Sequence, residues 1–186
     1  MNKTRLIALS GVLSALMFIV MFLETYVFTI LIPLAPPCFL SLSLAITISL
    51  AGEWRYMFIG GTAMGVCSLV IAFIIGNPVF ILPWISILPR IFIGIVAFGV
   101  SKLLKYFFKN SSKKFFKDYF SYGVGAVFGV FTNTLLVLTM MFICKFVGIE
   151  GILATFMAIN FPIEVIASAI IVPVLVNMLQ RFKKVA

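Results

Sequence analysis

The residues that could do chemistry are few, and most sit where lipid-soluble sequence should exclude them. Arg90 follows Pro89 at the start of an apolar run. It closes the stretch Asn77-Pro78-Val79-Phe80-Ile81-Leu82-Pro83-Trp84-Ile85-Ser86-Ile87-Leu88-Pro89-Arg90, which carries three prolines and one of the two tryptophans. Glu164 falls about 12 residues into the last apolar run, roughly 18 Å along a helix. Glu24 lies near the end of the first. Asn133 and Asn160 add amides at related depths, and Asn77 stands at the head of the proline-rich stretch. A charge inside a bilayer costs at least a few kcal/mol, so each needs a partner or a wet cavity. A cavity open to one side of the membrane would collect them all.

For Arg90 two readings stand side by side. Its planar fork suits a ligand carboxylate, and it suits equally a structural pair with Glu164 or Glu24. Glu164 reads as a structural or gating partner as well as a wall of a site. Asn133 contacts a ligand or makes an interhelical hydrogen bond. Trp84 and Phe80 stack on a ligand or anchor at the membrane interface, where aromatic residues gather. The candidate binding residues are therefore Arg90, Asn133, Trp84, Asn77, Asn160 and Glu164. Catalysis is not indicated. Histidine is absent, which removes the usual general base and the commonest metal ligand. No P-loop is present. The three cysteines, Cys38, Cys67 and Cys144, lie far apart without CxxC spacing, so neither a metal site nor a disulfide framework is expected.

The elements that position these residues are membrane spans. Of the 186 residues 63% are hydrophobic and 10% charged, where a soluble domain is nearer half apolar and a quarter charged. At roughly 20 residues per span the chain accommodates six helices in a single transmembrane domain over residues 1–186. The expected spans are about Arg5–Ile32, Phe39–Ala51, Tyr56–Ile75, Leu88–Leu104, Tyr119–Cys144 and Ile152–Leu179. Pro33, Pro36 and Pro37 break the chain after the first, and the second is short and rich in Ser41, Ser43, Thr47 and Ser49. The apolar run from Leu6 to Leu23 is too long for a signal peptide and no A-x-A-like site follows it, so it reads as a retained span.

With six spans both termini share a side. That side collects twelve of the 14 basic residues, including the six lysines from Lys102 to Lys117, and leaves only Arg90 and Lys145 opposite. The positive-inside rule makes it cytoplasmic. The net charge of +9 is then a topology signal and a contact for anionic lipid head groups, not a nucleic-acid footprint. Near the start, Ser10 with Ser14 and Gly11 with Ala15 form small-xxx-small pairs, which suit close approach by a partner helix or packing within this chain.

Taken in order, the basic N-terminus, small-residue first helix, proline-rich first loop, Asn77-Pro78, Ser86-Ile87-Leu88-Pro89-Arg90 with Gly94, lysine-rich loop and Thr132-Asn133-Thr134 resemble a known family. They are similar to the substrate-binding S components of energy-coupling factor (ECF) vitamin transporters, a branch of the ABC transporters. The resemblance covers nearly the whole chain. It implies an all-α bundle of six helices in the bacterial cell membrane. A vitamin is bound from outside by helices 4 to 6 and by the loops after helices 1 and 3, with no cofactor. It also implies three partner subunits, a transmembrane coupling protein and two cytoplasmic ATPases. The matching coupling positions are Ser10, Gly11, Ser14 and Ala15, where the family usually has an alanine pair four apart. The bound S component is thought to topple in the membrane while ATP is hydrolysed elsewhere. The Leu-Pro-Arg and Thr-Asn-Thr patterns look most like the pantothenate type. Folate, with two carboxylates and a ring for Trp84, is the runner-up. Riboflavin ranks third, because Pro36-Pro37-Cys38-Phe39-Leu40-Ser41 lacks the charges of that type's first loop. A membrane scaffold without ligand is the alternative from another class.

Overall fold

The structure, a computed structural model, describes residues 3–30, 38–51, 54, 57–109, 115–145 and 160–185. Among these residues seven α-helices follow in order: α1 (Lys3–Thr29), α2 (Phe39–Ala51), α3 (Met57–Ile75), the single turn α4 (Pro83–Ser86), α5 (Leu88–Phe107), α6 (Ser121–Ile143) and α7 (Phe161–Val185). A π-helical turn, Phe115–Phe120, leads into α6. There is no strand among the described residues. The protein is all-α and polytopic. Five stretches are long and apolar enough to cross a membrane, and α2, at 13 residues, is the shorter sixth.

The expected span boundaries hold to within a few residues except at the last. The sixth span was expected from about Ile152, whereas the described helix α7 starts at Phe161. Residues 151–159 lie outside the described residues, as do Pro33, Pro36 and Pro37, most of the turn after α2, and Asn110 to Lys114.

The bundle is built around α2. Every residue from Ser41 to Leu50 is buried. Its neighbours are α1, α3, α5, α6 and α7, and one apolar core draws on all six helices, from Met17 through Ile46, Met64, Ile93 and Val130 to Val172. The hydroxyls of α2 disturb nothing, because each bonds to its own helix. Ser43 donates to the Phe39 carbonyl at 2.6 Å, Thr47 to Ser43 at 2.8 Å and Ser49 to Ala45 at 3.0 Å. Such back-bonding satisfies a hydroxyl without a partner helix. Ser43 also meets Ser168 of α7 at 3.0 Å. The outside carries the large apolar side chains, among them Ile19, Leu23, Phe73 and Ile166, each more than half exposed. A protein dissolved in lipid places them so.

Two glycines of α3 set the position of α5. A Cβ at Gly65 would stand 2.8 Å from the Ile87 Cα, and one at Gly61 would overlap the Arg90 carbonyl. Only a bare α3 face lets the start of α5 lie this close.

Candidate functional site

The proline-rich stretch is a chain of local stops and starts. Helix α3 ends on Gly76, at φ +77°, with the Gly76 and Asn77 amides both returning to the Ala72 carbonyl at 2.9 and 3.0 Å. A left-handed residue after the last turn is where glycine belongs. Asn77 then folds its side chain back, and Oδ1 accepts from the Val79 amide at 3.1 Å, an Asx turn. Pro83 opens α4, and α5 follows immediately with Pro89 in its first turn. Proline is tolerated there because the missing N–H would have had no intrahelical acceptor. Arg90 thus enters the bundle in the first turn of a helix, beside the end of another.

Arg90 is 4% exposed. Its Nη1 donates to the Ser86 carbonyl at 2.5 Å and to that of Ile85 at 3.5 Å. These are the last carbonyls of α4, the negative end of that short turn. The guanidinium carbon lies 5.3 Å from the centre of the Phe80 ring. Ser86 Oγ donates to the Phe80 carbonyl and fixes that loop. The Arg90 Nε has no hydrogen-bond partner among the described residues.

The sequence offered Glu24 and Glu164 as ion-pair partners for Arg90, and the structure gives both a different principal task. Among the described residues the ion pair is Lys105 with Asp118, at 3.5 Å. Glu24 Oε1 accepts from the Leu40 amide at 2.7 Å, and its Oε2 from that of Ser41 at 3.1 Å. Glu164 Oε1 accepts from the Cys38 amide at 3.1 Å. Two carboxylates from α1 and α7 therefore cap the N-terminus of α2, whose first amides have no intrahelical acceptor and carry the positive end of its dipole. Glu164 lies in the first turn of the described helix α7; the residues that would set its depth in the expected span, 152–159, lie outside the described residues. The second Glu164 oxygen, Oε2, is buried and has no partner among the described residues. Burial pushes the Cys38 thiol up, and the two carboxylates add to that, so it stays a neutral thiol.

These groups meet at a cavity of about 40 Å3 just beyond the N-terminus of α2. Arg90, Asn77, Phe80, Asn133 and Glu164 line it. Met64, Ser68, Ile71, Ala72 and Ile75 of α3, Met21 and Thr25 of α1, Val137 of α6 and Cys38 also stand on the wall. Asn133 reaches it from the middle of α6, and its Oδ1 is buried without a partner among the described residues. Four of the six candidate binding residues are thus brought together. Trp84 is not among them. It is half exposed and does not line the cavity. Asn160 is 1% exposed and also stands off the wall. Phe80, not Trp84, is the aromatic of the site. Cys38 and Thr25 are wall residues that no sequence motif marked.

The small residues of α1 lie outside this site. Gly11 and Ala15 are exposed, and a Cβ on Gly11 would meet nothing within 4 Å. Ser10 donates to the Ile7 carbonyl at 2.9 Å, and Ser14 is part-exposed. Among the described residues nothing covers Gly11 and Ala15.

Fold and site together define a multi-pass helical membrane protein with a small cavity, lined by both polar and apolar side chains, at one end of its central helix. No family model, curated protein or solved structure matches the chain.

Proposed function

We propose that the protein is the substrate-binding S component of an ECF-type vitamin transporter and that its ligand is pantothenate. The observation that carries this reading is the set of three buried atoms on one small cavity that have no partner among the described residues: Arg90 Nε, Asn133 Oδ1 and Glu164 Oε2. A buried polar atom without a partner costs about 1–3 kcal/mol, and a bound ligand recovers that cost. The set asks for one acceptor, best an anion, and for two donors. Pantothenate has a carboxylate for Arg90 and hydroxyl and amide hydrogens for the two oxygens. With Trp84 off the wall, the ring-stacking argument for folate loses its residue. At about 40 Å3 the cavity has room for a few waters, so binding spreads its walls.

In this reading the basic end is cytoplasmic and the cavity opens outward, as the placement of the lysines requires. The exposed Gly11–Ala15 face meets the transmembrane coupling protein, and two ATPases supply the energy. The chain itself catalyses nothing. The test is a melting-temperature panel of purified protein with pantothenate, folate and riboflavin. Linkage makes the true ligand raise the transition. A flat response to all three, in protein that melts cooperatively, overturns the reading.

A further inference from the structure

A second cavity, of about 230 Å3, lies at the opposite end of α2, between α5, α6 and α7. Its floor is apolar, Leu50 and Phe98, and its walls carry Ser101, Lys102, Lys105, Tyr122 and Gln180. The hydrogen-bond inventory of these walls is one-sided. The Tyr122 oxygen already accepts from Lys105 Nζ at 2.6 Å and from Gln180 Nε2. Its own hydrogen therefore has no acceptor here. If the Gln180 amide is turned over, Tyr122 donates to it and the amide hydrogens are released instead, so a donor is left over either way. Ser101 is 3% exposed, and its Oγ is buried without a partner among the described residues. Lys105 keeps hydrogens beyond the one given to Tyr122, and Lys102 brings a second ammonium. Against these, among the described residues, stands the Asp118 carboxylate, 3.5 Å from Lys105.

We propose that this cavity binds a phosphate group, either the phosphodiester of an anionic lipid head group or free phosphate. A donor-rich pocket with an excess of positive charge is completed by a ligand that has several acceptor oxygens and negative charge. The apolar floor suits a group that arrives with a hydrocarbon neighbour. The site is distinct from the chamber around Arg90, and nothing in it depends on the transport reading.

The experiment is a binding titration on detergent-purified full-length protein with three probes. These are dioleoyl phosphatidylglycerol, dioleoyl phosphatidylcholine and inorganic phosphate at constant ionic strength. Binding of phosphatidylglycerol at least about tenfold tighter than phosphatidylcholine assigns the lipid source, and binding of inorganic phosphate assigns the free one. Lys102→Gln with Tyr122→Phe then weakens the bound probe by about tenfold or more. Lys105 is left alone in this variant because it also holds Asp118. Should the double variant melt early, Lys102→Gln by itself serves, since its ammonium makes no bond among the described residues. The proposal fails if neither anionic probe binds, or if phosphatidylcholine binds as well as phosphatidylglycerol and inorganic phosphate does not bind. It fails equally if a well-folded Lys102→Gln protein keeps wild-type affinity.

Discussion

The two ends of α2 are chemical opposites. Around its N-terminus acceptors gather: both oxygens of Glu24, both of Glu164 and the Asn133 carbonyl oxygen. Around its C-terminus the surplus is of donors: Lys102, Lys105, Tyr122, Ser101 and Gln180. This follows the dipole of a helix buried on every side, whose positive end attracts carboxylates and whose negative end attracts ammonium groups. The comparison therefore sorts the charged residues. Glu24, Glu164 and the lysines stand where α2 wants them. Arg90 is a cation at the positive end, held against that preference by the carbonyls of α4. It is the charge with least structural reason to be there, which makes it the best candidate for a ligand contact.

The largest break in this comparison comes from removing a cap. Glu24→Ala leaves the part-buried Leu40 amide and the buried Ser41 amide without acceptors, at about 1–2 kcal/mol each. The variant should unfold roughly 2–4 kcal/mol more easily in detergent, with or without ligand. If stability is unchanged, the capping role assigned to Glu24 is wrong. Next is Arg90→Ala, which should weaken pantothenate by about 2–3 kcal/mol, on the order of a hundredfold. The alcohol analogue without a carboxylate should lose far less. Equal losses for both ligands, read by calorimetry, would return Arg90 to a structural role. Gly61→Ala pushes on the Arg90 carbonyl and should cost about 1–3 kcal/mol of stability, with a matching loss of ligand affinity. A melting curve like that of the wild type would mean that α3 and α5 have room to part. At the bottom of the scale is Gly11→Leu, whose new side chain meets open space. Stability and ligand binding should stay within about 0.5 kcal/mol, while uptake by the assembled transporter stops. Loss of binding in this variant would place Gly11 in the packing of the chain.

Much of the Arg90 side of the site was legible in the sequence. Pro89 sets a helix start, and the residue after it must lie in the first turn. Thr132-Asn133-Thr134 marks polarity in the middle of an apolar run, and Asn133 does face the chamber. The acids were harder to read. Helix α2 has no Ser, Thr, Asp or Asn in front of Phe39, only Cys38, and that missing local cap was the available sign that a cap comes from elsewhere. Spacing in one chain does not say which distant carboxylate supplies it. The sequence reads Glu164 as a residue deep in the last span, and the described helix that carries it begins at Phe161. Trp84 was expected in the site because it neighbours residues that are, yet α4 is a single turn and leaves it half exposed, off the cavity wall. In α2 itself, Leu40-Ser41-Leu42-Ser43-Leu44 alternates like a strand. It forms a helix because each hydroxyl has a carbonyl of its own helix in reach.

The shortness of α2 has a consequence for how the protein is made. Thirteen residues extend about 20 Å, against roughly 30 Å of hydrocarbon, and four of them carry hydroxyls. Such a segment has little tendency to partition into lipid alone as it leaves the ribosome. Its place depends on neighbours that arrive later, α3 first and then α5, α6 and α7. Biogenesis is thus ordered around a helix that stays provisional until the rest of the chain is synthesised. Glycosylation mapping of chains released after residue 51 and after residue 107 would show α2 failing to integrate in the first and integrating in the second.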